Sequence, residues 1–469
     1  MSKTITVIGG GPGGYEAAIR AAQMGANVYL IENRELGGTC LNRGCIPTKT
    51  LWRNAEIANS LHRKAEFGFD FKDLTIDGKR IQERKNEVVT KMRSGIEFLV
   101  GSYPNMEFIP GFASFKSDKT IQVQLKDGTT RDLETDYTII ASGSKPFVPP
   151  IPGADLEGIM TSDELLDMDF VPESMVIIGG GVIGLEFACI YNELGTKVSV
   201  ITNEVLAAAD EEISKRMPSI LKRAGIEIIS GARANQIEKT DAGYKVTAEI
   251  LGKDKVKEAE GQIVLVATGR VAVTEGLNLE EIGVEFGRRG IPVNQDYQTN
   301  IEGIYAIGDV KEGSIQLAHA ATAEGIYVVE KLMGEEPETI MDVVPACTFT
   351  LPEVAQVGKT EQQLKEEGKA YVKSKFLYSG NGKAISYGEP DGFVKVLATE
   401  DLSEILGIHI MGAHANDLIH EGAVAVANKL PVTAIGNMIH AHPTMSEIFM
   451  EAIHQLEGKS IHTAPPKKK

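Results

Sequence analysis

Two cysteines five positions apart, Cys40 and Cys45 in the run GGTCLNRGCIPTK from Gly37 to Lys49, carry the most specific chemistry in the chain. A pair at this spacing could be bridged on an irregular first turn of a helix, which would hold the two Cα atoms within the few ångströms a disulfide demands. The competing reading is two buried thiols or half of a metal site. Zinc takes closer spacing and four ligands, and the remaining cysteines, Cys189 and Cys347, stand without His or Cys neighbours, so no metal ligands are expected. Near the C-terminus, HAHPTMSE offers His442 and Glu447 as a base and the carboxylate that would orient it and stabilise its charged form. Thr444-x-x-Glu447 also fits a helix capping box, which leaves a structural role for Glu447 open; His440 reads as structural.

Elements must position these residues. Thr4 to Ile8 is a short β-rich apolar run that feeds Gly9-x-Gly11-x-x-Gly14, a helical pattern through Ala22, and a second strand, Val28 to Ile31, ending at Glu32. Strand, glycine turn, helix, strand and terminal acid together form a dinucleotide-binding unit: the glycines let a pyrophosphate approach the helix N-terminus, and the carboxylate accepts from ribose hydroxyls. The pattern recurs with a strand Met175 to Ile178, the turn Gly179-x-Gly181-x-x-Gly184, a helix Leu185 to Leu194 and a strand Lys197 to Ile201. Two such units with a dithiol behind the first predict two dinucleotides in series, a flavin in the first facing the disulfide and a nicotinamide in the second.

The second unit departs from the first at one position. Glu32 lies 18 residues beyond Gly14, whereas Thr202 lies 18 beyond Gly184. A hydroxyl reads a ribose weakly and puts no charge against a 2′-phosphate. No Lys or Arg lies between Lys197 and Lys215 to grip that phosphate, and Glu204 opposes it, so NAD is expected, with NADP as the alternative.

At 469 residues the chain exceeds one ordinary core, and two or more domains are expected. The opening MSKTITVIGG has no charged and then apolar leader pattern, and four cysteines at these spacings make no secreted framework, which points to the cytoplasm. The most hydrophobic run, Met175 to Ile190, is broken by glycines and Glu186, so no membrane span is expected. A net charge of −17 argues against a nucleic-acid partner.

With these motifs in hand, the chain resembles the pyridine nucleotide-disulfide oxidoreductases, and within them the dihydrolipoamide dehydrogenases. The resemblance runs nearly end to end: besides the glycine turns and the cysteine run it rests on IIASGSKP at Ile139–Pro146, VATGR at Val266–Arg270, TNIEGIYAIGDV ending at Val310, LAHAATAEG after Gln316, and HAHPTMSE. It implies an α/β chain with two Rossmann-like dinucleotide-binding domains plus a C-terminal α+β dimerisation domain. The boundaries expected are 1–148 and 271–342 for the two segments of the FAD domain, 149–270 for the NAD(P) domain, 343–462 for the interface domain, and a disordered tail, 463–469. It further implies that Gly143, Asp309 and Ala318 contact FAD, that Gly269 lines a cofactor site, and that Lys49 and Glu186 pair beside the nicotinamide pocket; an ordinary salt bridge is the alternative for that pair.

The implied mechanism has His442, oriented by Glu447, take a proton from a dihydrolipoyl thiol, whose thiolate attacks Cys40, while Cys45 passes the electron pair to FAD. The family supplies that histidine from the partner subunit of a homodimer, and its substrate is the lipoyl arm of a 2-oxoacid dehydrogenase or glycine cleavage complex. Extra C-terminal redox cysteines, as in mercuric and large thioredoxin reductases, are missing here, since no cysteine follows Cys347. A glutathione- or thioredoxin-type substrate and a noncatalytic flavoprotein subunit stay as alternatives.

Overall fold

The structure, a computed structural model, describes residues 2–464; residues 465–469 of the expected tail lie outside the described residues. The chain divides into two compact units that it visits alternately. The first takes the segments up to Pro150, Met160–Val171 and Val266–Met341; the second takes Ile151–Ile159, Pro172–Leu265 and the described residues from Asp342 onward.

In the first unit the apolar run after residue 3 becomes the strand Thr4–Ile8, paired in parallel with Asn27–Glu32 on one side and with Tyr137–Ile140 on the other. Ile304–Ala306 extends the sheet beyond Tyr137–Ile140, and Met106–Phe115 extends it beyond Asn27–Glu32, both in parallel. Two antiparallel strands, Thr120–Leu125 and Thr130–Glu134, complete seven. Ile5, Val7, Leu30, Ile139 and Ile140 are fully buried, as expected of parallel strands covered on both faces. The helix Pro12–Gln23 buries a face of alanines, Ala17, Ala18, Ala21 and Ala22, against the helix Ala318–Met333. Their backbones approach so closely that a Cβ on Gly325 would fall 2.6 Å from the Gly13 carbonyl oxygen. From the central strand the chain leaves to one side and returns on the other, and such a switch point opens a crevice at the strands' carboxyl ends.

The second unit repeats the plan. Its first sheet runs Glu227–Ile229, Lys197–Ile201, Ser174–Ile178, Ile263–Val266, Ile159–Met160, with Ser174–Ile178, Lys197–Ile201 and Glu227–Ile229 parallel. A three-stranded antiparallel sheet, Ala232–Thr240, Gly243–Ile250 and Val256–Gly261, stands beside it. The C-terminal part is a five-stranded antiparallel sheet ordered Ala346–Thr348, Val354–Gly358, Ile405–Met411, Phe393–Ala398, Val372–Leu377. Every residue of Ile405–Met411 is buried, and the helices Ala415–Ala427 and Ser446–Leu456 contribute Ile419, Ala425, Ile448, Phe449 and Ile453 to the same core.

A buried charge cluster ties this unit together. Lys395 Nζ donates to Asp210 Oδ1 at 2.7 Å and Glu361 Oε2 at 2.6 Å, while Asp210 caps the helix Glu211–Arg223 and accepts the Glu361 N–H at 3.1 Å. Burial works against the Glu361 carboxylate, yet Lys373, Lys395, Tyr371 and Lys365 hold it well below the usual range. Beside it, burial pushes the His409 imidazole down to about 4. Its Nε2 lies 3.0 Å from the Lys359 carbonyl oxygen and its Nδ1 is buried without a hydrogen-bond partner, which fits a neutral ring. Among the described residues no helix is long and apolar enough to cross a membrane.

Candidate dithiol and dinucleotide sites

The cysteines do not share one helical turn. Cys40 lies in the short helix Gly38–Arg43, and Cys45 opens a separate helix, Cys45–His62; Gly44, with φ −150° and ψ −107°, breaks the chain between them. A Cβ there would stand 3.0 Å from the Thr39 carbonyl oxygen, which is why the break falls on a glycine. The second helix tolerates Pro47 because its first turn has no intrahelical N–H bond to lose. The structure holds the two cysteines as free thiols side by side, Cys40 within hydrogen-bond reach of Cys45. The hydrogen bond with Cys45, burial and the Cys45 charge push the Cys40 thiol well up, and Lys49 opposes them. Cys45 sits at an uncapped helix N-terminus, where the helix dipole favours an anion. Lys49 follows Cys45 by four residues on the same helix, hence on the same face.

Both glycine turns show the local geometry their spacing requires. Gly9 and Gly179 have φ of +111° and +123° and donate to Ile31 and Ile201 at 2.8 and 2.9 Å. A Cβ on Gly14 would lie 1.9 Å from the Gly9 oxygen, and one on Gly184 would lie 2.2 Å from the Gly179 oxygen. By contrast a Cβ on Gly181 would meet nothing within 4 Å, and one on Gly11 only Gly38 Cα at 3.9 Å, so open space lies over the middle glycine. Gly11 and Gly181 are the N-caps of their helices, with no capping side chain and no acid in the first turn. Bare N–H groups beneath open space fit a dinucleotide pyrophosphate at both turns. Glu32 accepts from Gly10 N–H and Arg34 N–H, each at 2.7 Å, one on each oxygen. Each oxygen keeps a lone pair for a ribose hydroxyl. Thr202 accepts from Gly180 N–H at 3.1 Å.

Further groups gather in the first unit. Asp309 lies on the short turn Gly308–Val310, and its Oδ2 accepts from Ser144 Oγ at 2.6 Å. Ser144 in turn accepts from Arg270 Nε–H at 2.8 Å and takes a second Arg270 bond on its carbonyl at 2.7 Å. Burial opposes the Arg270 charge, which the carboxylates of Asp309 and Asp163 and the sulfur of Cys45 support. Glu324 accepts the Gly308 N–H at 2.7 Å and fixes the turn that carries Asp309. Gly143 and Gly269, at φ +75° and +132°, flank this group beside open space, and Ala318 begins a helix whose N-terminus has no side-chain cap. The roles of Ser144 and Arg270 were hidden in the sequence, although both lie within the quoted runs IIASGSKP and VATGR; strand pairing of Ser144–Pro146 with Arg270–Ala272 is what joins them.

In the second unit Glu186 is buried on the helix Val182–Glu193 and accepts from the Phe349 N–H at 2.9 Å. His442 Nδ1 lies 2.8 Å from Glu447 Oε1, while Glu447 Oε2 accepts the Thr444 N–H at 2.9 Å. Half of the capping box is therefore present, and one carboxylate serves both the imidazole and the helix start. Thr444 Oγ1 donates instead to the Ala441 carbonyl, and the helix begins at Ser446 with Met445 as its N-cap. Burial alone would raise the Glu447 carboxyl, but the Thr444 N–H and His442 hold it below the usual range. The His442 side chain is 77% exposed and that of Glu447 only 18%. His440 is paired with Glu421 at 2.9 Å and its side chain is 4% exposed, in keeping with a structural role.

Residues 3–325 match the family model described as pyridine nucleotide-disulphide oxidoreductase, and residues 344–453 match the dimerisation domain of the same family. A dihydrolipoyl dehydrogenase of Bacillus subtilis is 40% identical over 98% of both chains. A dihydrolipoamide dehydrogenase of Chaetomium thermophilum is 38% identical over 98% of this chain and 92% of its own. Among solved structures, LpdA from Mycobacterium tuberculosis superposes with a TM-score of 0.88 at 28% identity, covering 97% of this chain and 99% of that one. The HOCl-induced flavoprotein disulfide reductase RclA from Escherichia coli superposes with a TM-score of 0.85 at 28% identity, covering 96% and 99%.

Proposed function

Because this chain belongs to the pyridine nucleotide-disulphide oxidoreductase family, we propose that it works as a dihydrolipoyl dehydrogenase, an FAD enzyme that oxidises dihydrolipoamide and reduces NAD. The observation that carries the reading is the Cys40–Cys45 pair, hydrogen-bonded sulfur to sulfur in the unit that also holds the first glycine turn and Glu32.

The cycle starts from the Cys40–Cys45 disulfide. His442, held by Glu447, accepts a proton from a dihydrolipoyl thiol, and the thiolate attacks the Cys40 sulfur; an S–S bond to substrate forms as the Cys40–Cys45 bond breaks, leaving a Cys45 thiolate. The second substrate thiol displaces Cys40, which leaves as a thiol, and oxidised lipoamide departs. Bound FAD supplies a two-electron path from this dithiol to NAD. The residues present fit the flavin: the bare N–H groups after Gly11 would hold its pyrophosphate, Glu32 its ribose, and Asp309 with Gly143 and Ala318 the part nearer the ring. Gly179, Gly181 and Gly184 would hold NAD in the same manner, with Glu186 of the same unit toward its nicotinamide end.

The chain forms a homodimer through its dimerisation domain. His442 then serves Cys40 of the partner subunit, a reading supported by an exposed imidazole on a shielded carboxylate and by exposed apolar neighbours, Val424, Met438 and Ile439, the last 99% exposed. The partner in this reading is a lipoyl-bearing protein of a 2-oxoacid dehydrogenase or glycine cleavage complex, and the setting is the cytoplasm. The test is NAD reduction by dihydrolipoamide with the FAD-loaded protein, together with Cys45→Ser, which should abolish turnover and the long-wavelength absorbance of the reduced enzyme. Absence of turnover in the unsubstituted protein, with glutathione disulfide or a thioredoxin reduced instead, would sink the lipoyl assignment.

A further inference from the structure

The two glycine turns superimpose in their hydrogen bonding but not in what their second strands present. In the first unit Gly10 N–H donates to Glu32, and in the second Gly180 N–H donates to Thr202, the partners being 22 residues apart in both. The packing agrees, since a Cβ on Gly10 would meet Glu32 Cβ at 3.0 Å and one on Gly180 would meet Thr202 Cβ at 2.8 Å. Thr202 therefore stands where the first unit has its ribose-reading acid.

It cannot do the same work. A carboxylate has roughly four acceptor positions, and Glu32 spends two of them on Gly10 and Arg34. The Thr202 hydroxyl gives one of its two acceptor lone pairs to Gly180 and its one proton to the Glu204 carbonyl at 2.7 Å, which leaves a single uncharged lone pair in place of the charged pair of oxygens that Glu32 keeps. Part of the surrounding backbone is engaged as well: Ala232 N–H donates to the Thr202 carbonyl at 3.0 Å, Gly231 N–H to the Asn203 carbonyl at 2.9 Å, and Leu206 N–H to the Gly180 carbonyl at 2.9 Å. The residues that follow, Ala207 and Ala208, have only methyl groups. The polar side chains left exposed from Thr202 to Ala208 are Asn203 and Glu204, and no cation lies from Val198 to Ser214.

We propose that Thr202 leaves the 2′ position of the second dinucleotide only weakly read, so that this site accepts NADP(H) alongside NAD(H) with less than tenfold discrimination. The carboxylate normally does two things at this place: it pairs with the ribose diol and repels a 2′-phosphate. Losing it weakens the first and removes the second together, which brings the two coenzymes toward equality. The inference rests on the reading of this unit as the nicotinamide site.

The test uses the FAD-loaded dimer and two ligands without a nicotinamide ring, ADP-ribose and 2′-phospho-ADP-ribose, titrated by calorimetry at fixed salt. The expected dissociation constants lie within tenfold of each other. Thr202→Glu should weaken the phosphorylated ligand at least tenfold and tighten ADP-ribose; the first unit shows that this backbone accommodates a glutamate. Thr202→Ser should leave both constants unchanged, and Glu204→Gln should tighten the phosphorylated ligand several-fold. Should Thr202→Glu not fold, the unsubstituted protein and Glu204→Gln decide. A preference above tenfold in either direction in the unsubstituted protein overturns the proposal, as does a Glu204→Gln variant with unchanged constants. Binding of neither ligand overturns it together with the assignment of the unit. Bleaching of the flavin by dihydrolipoamide, read in the same preparation, does not use this site and reports the dehydrogenase reading separately.

Discussion

A single carboxylate, Glu447, holds His442 with one oxygen and the start of a helix with the other. Glu447→Gln keeps an acceptor but loses the charge that stabilises an imidazolium, so kcat/KM for dihydrolipoamide should fall about 10-fold to 100-fold; His442→Gln should cost roughly 10²–10⁴-fold, the worth of a positioned general base. Because the folded Glu447 carboxyl lies below its ordinary range, the pairing is complete above that range and is lost only as pH falls through the folded value. The acid limb of the rate profile should therefore not report Glu447 near its ordinary range, and a rate-against-pH series checks it. Lys395 is a different case, a buried ammonium with two carboxylates as direct partners. Lys395→Met would leave the fully buried Asp210 carboxylate without its cation, while Glu361 keeps Lys373 and Lys365; a loss of about 3–5 kcal/mol follows from removing one member of a buried ionic group, measurable as a drop in the thermal midpoint. Nothing local betrays this cluster: FVKVLA reads as an ordinary strand with one charge, and its partners lie 185 and 34 residues away. The pairing of Cys40 with Cys45 and of His442 with Glu447 was legible because each pair is close in sequence, and that of Arg270 with Ser144 was not because strand pairing across 126 residues brings them together.

The elements that carry the sites follow from periodicity and glycine placement, and both glycine turns fall where their spacing puts them. The interruption at Gly44 is not legible in the sequence because no propensity rule separates a six-residue helix from an eighteen-residue one when a single glycine divides them; it is set by the close approach to Thr39. The two turns permit a matched pair of tests. Gly14→Ala and Gly184→Ala would each drive a methyl into a carbonyl oxygen, at 1.9 and 2.2 Å. Gly14→Ala should yield protein that purifies without flavin, measured by absorbance. Gly184→Ala should retain its flavin yet raise the KM for NAD by tenfold or more, since the steric conflict falls in the other unit.

Across the whole molecule the buried His409 gives stability a pH dependence. Its folded value of about 4 lies below the ordinary 6.5 because burial outweighs the attraction of Asp210. Between those values the unfolded chain binds a proton that the folded one does not. Stability is therefore full above 6.5 and declines by roughly 3 kcal/mol as pH falls to about 4. Thermal midpoints from pH 8 to 4.5 should show this slope, and His409→Gln should flatten it. A last consequence comes from the way the chain alternates between its units. On a ribosome, the strands Ser174–Ile178, Lys197–Ile201, Glu227–Ile229 and Ile263–Val266 emerge before Ile304–Ala306, Asp309 and Ala318 exist. The nicotinamide sheet can thus assemble during synthesis while the flavin crevice still lacks a wall. Loading of the flavin should therefore be a late event in the life of the nascent protein, and a chain stalled near residue 270 should carry both glycine turns and remain colourless.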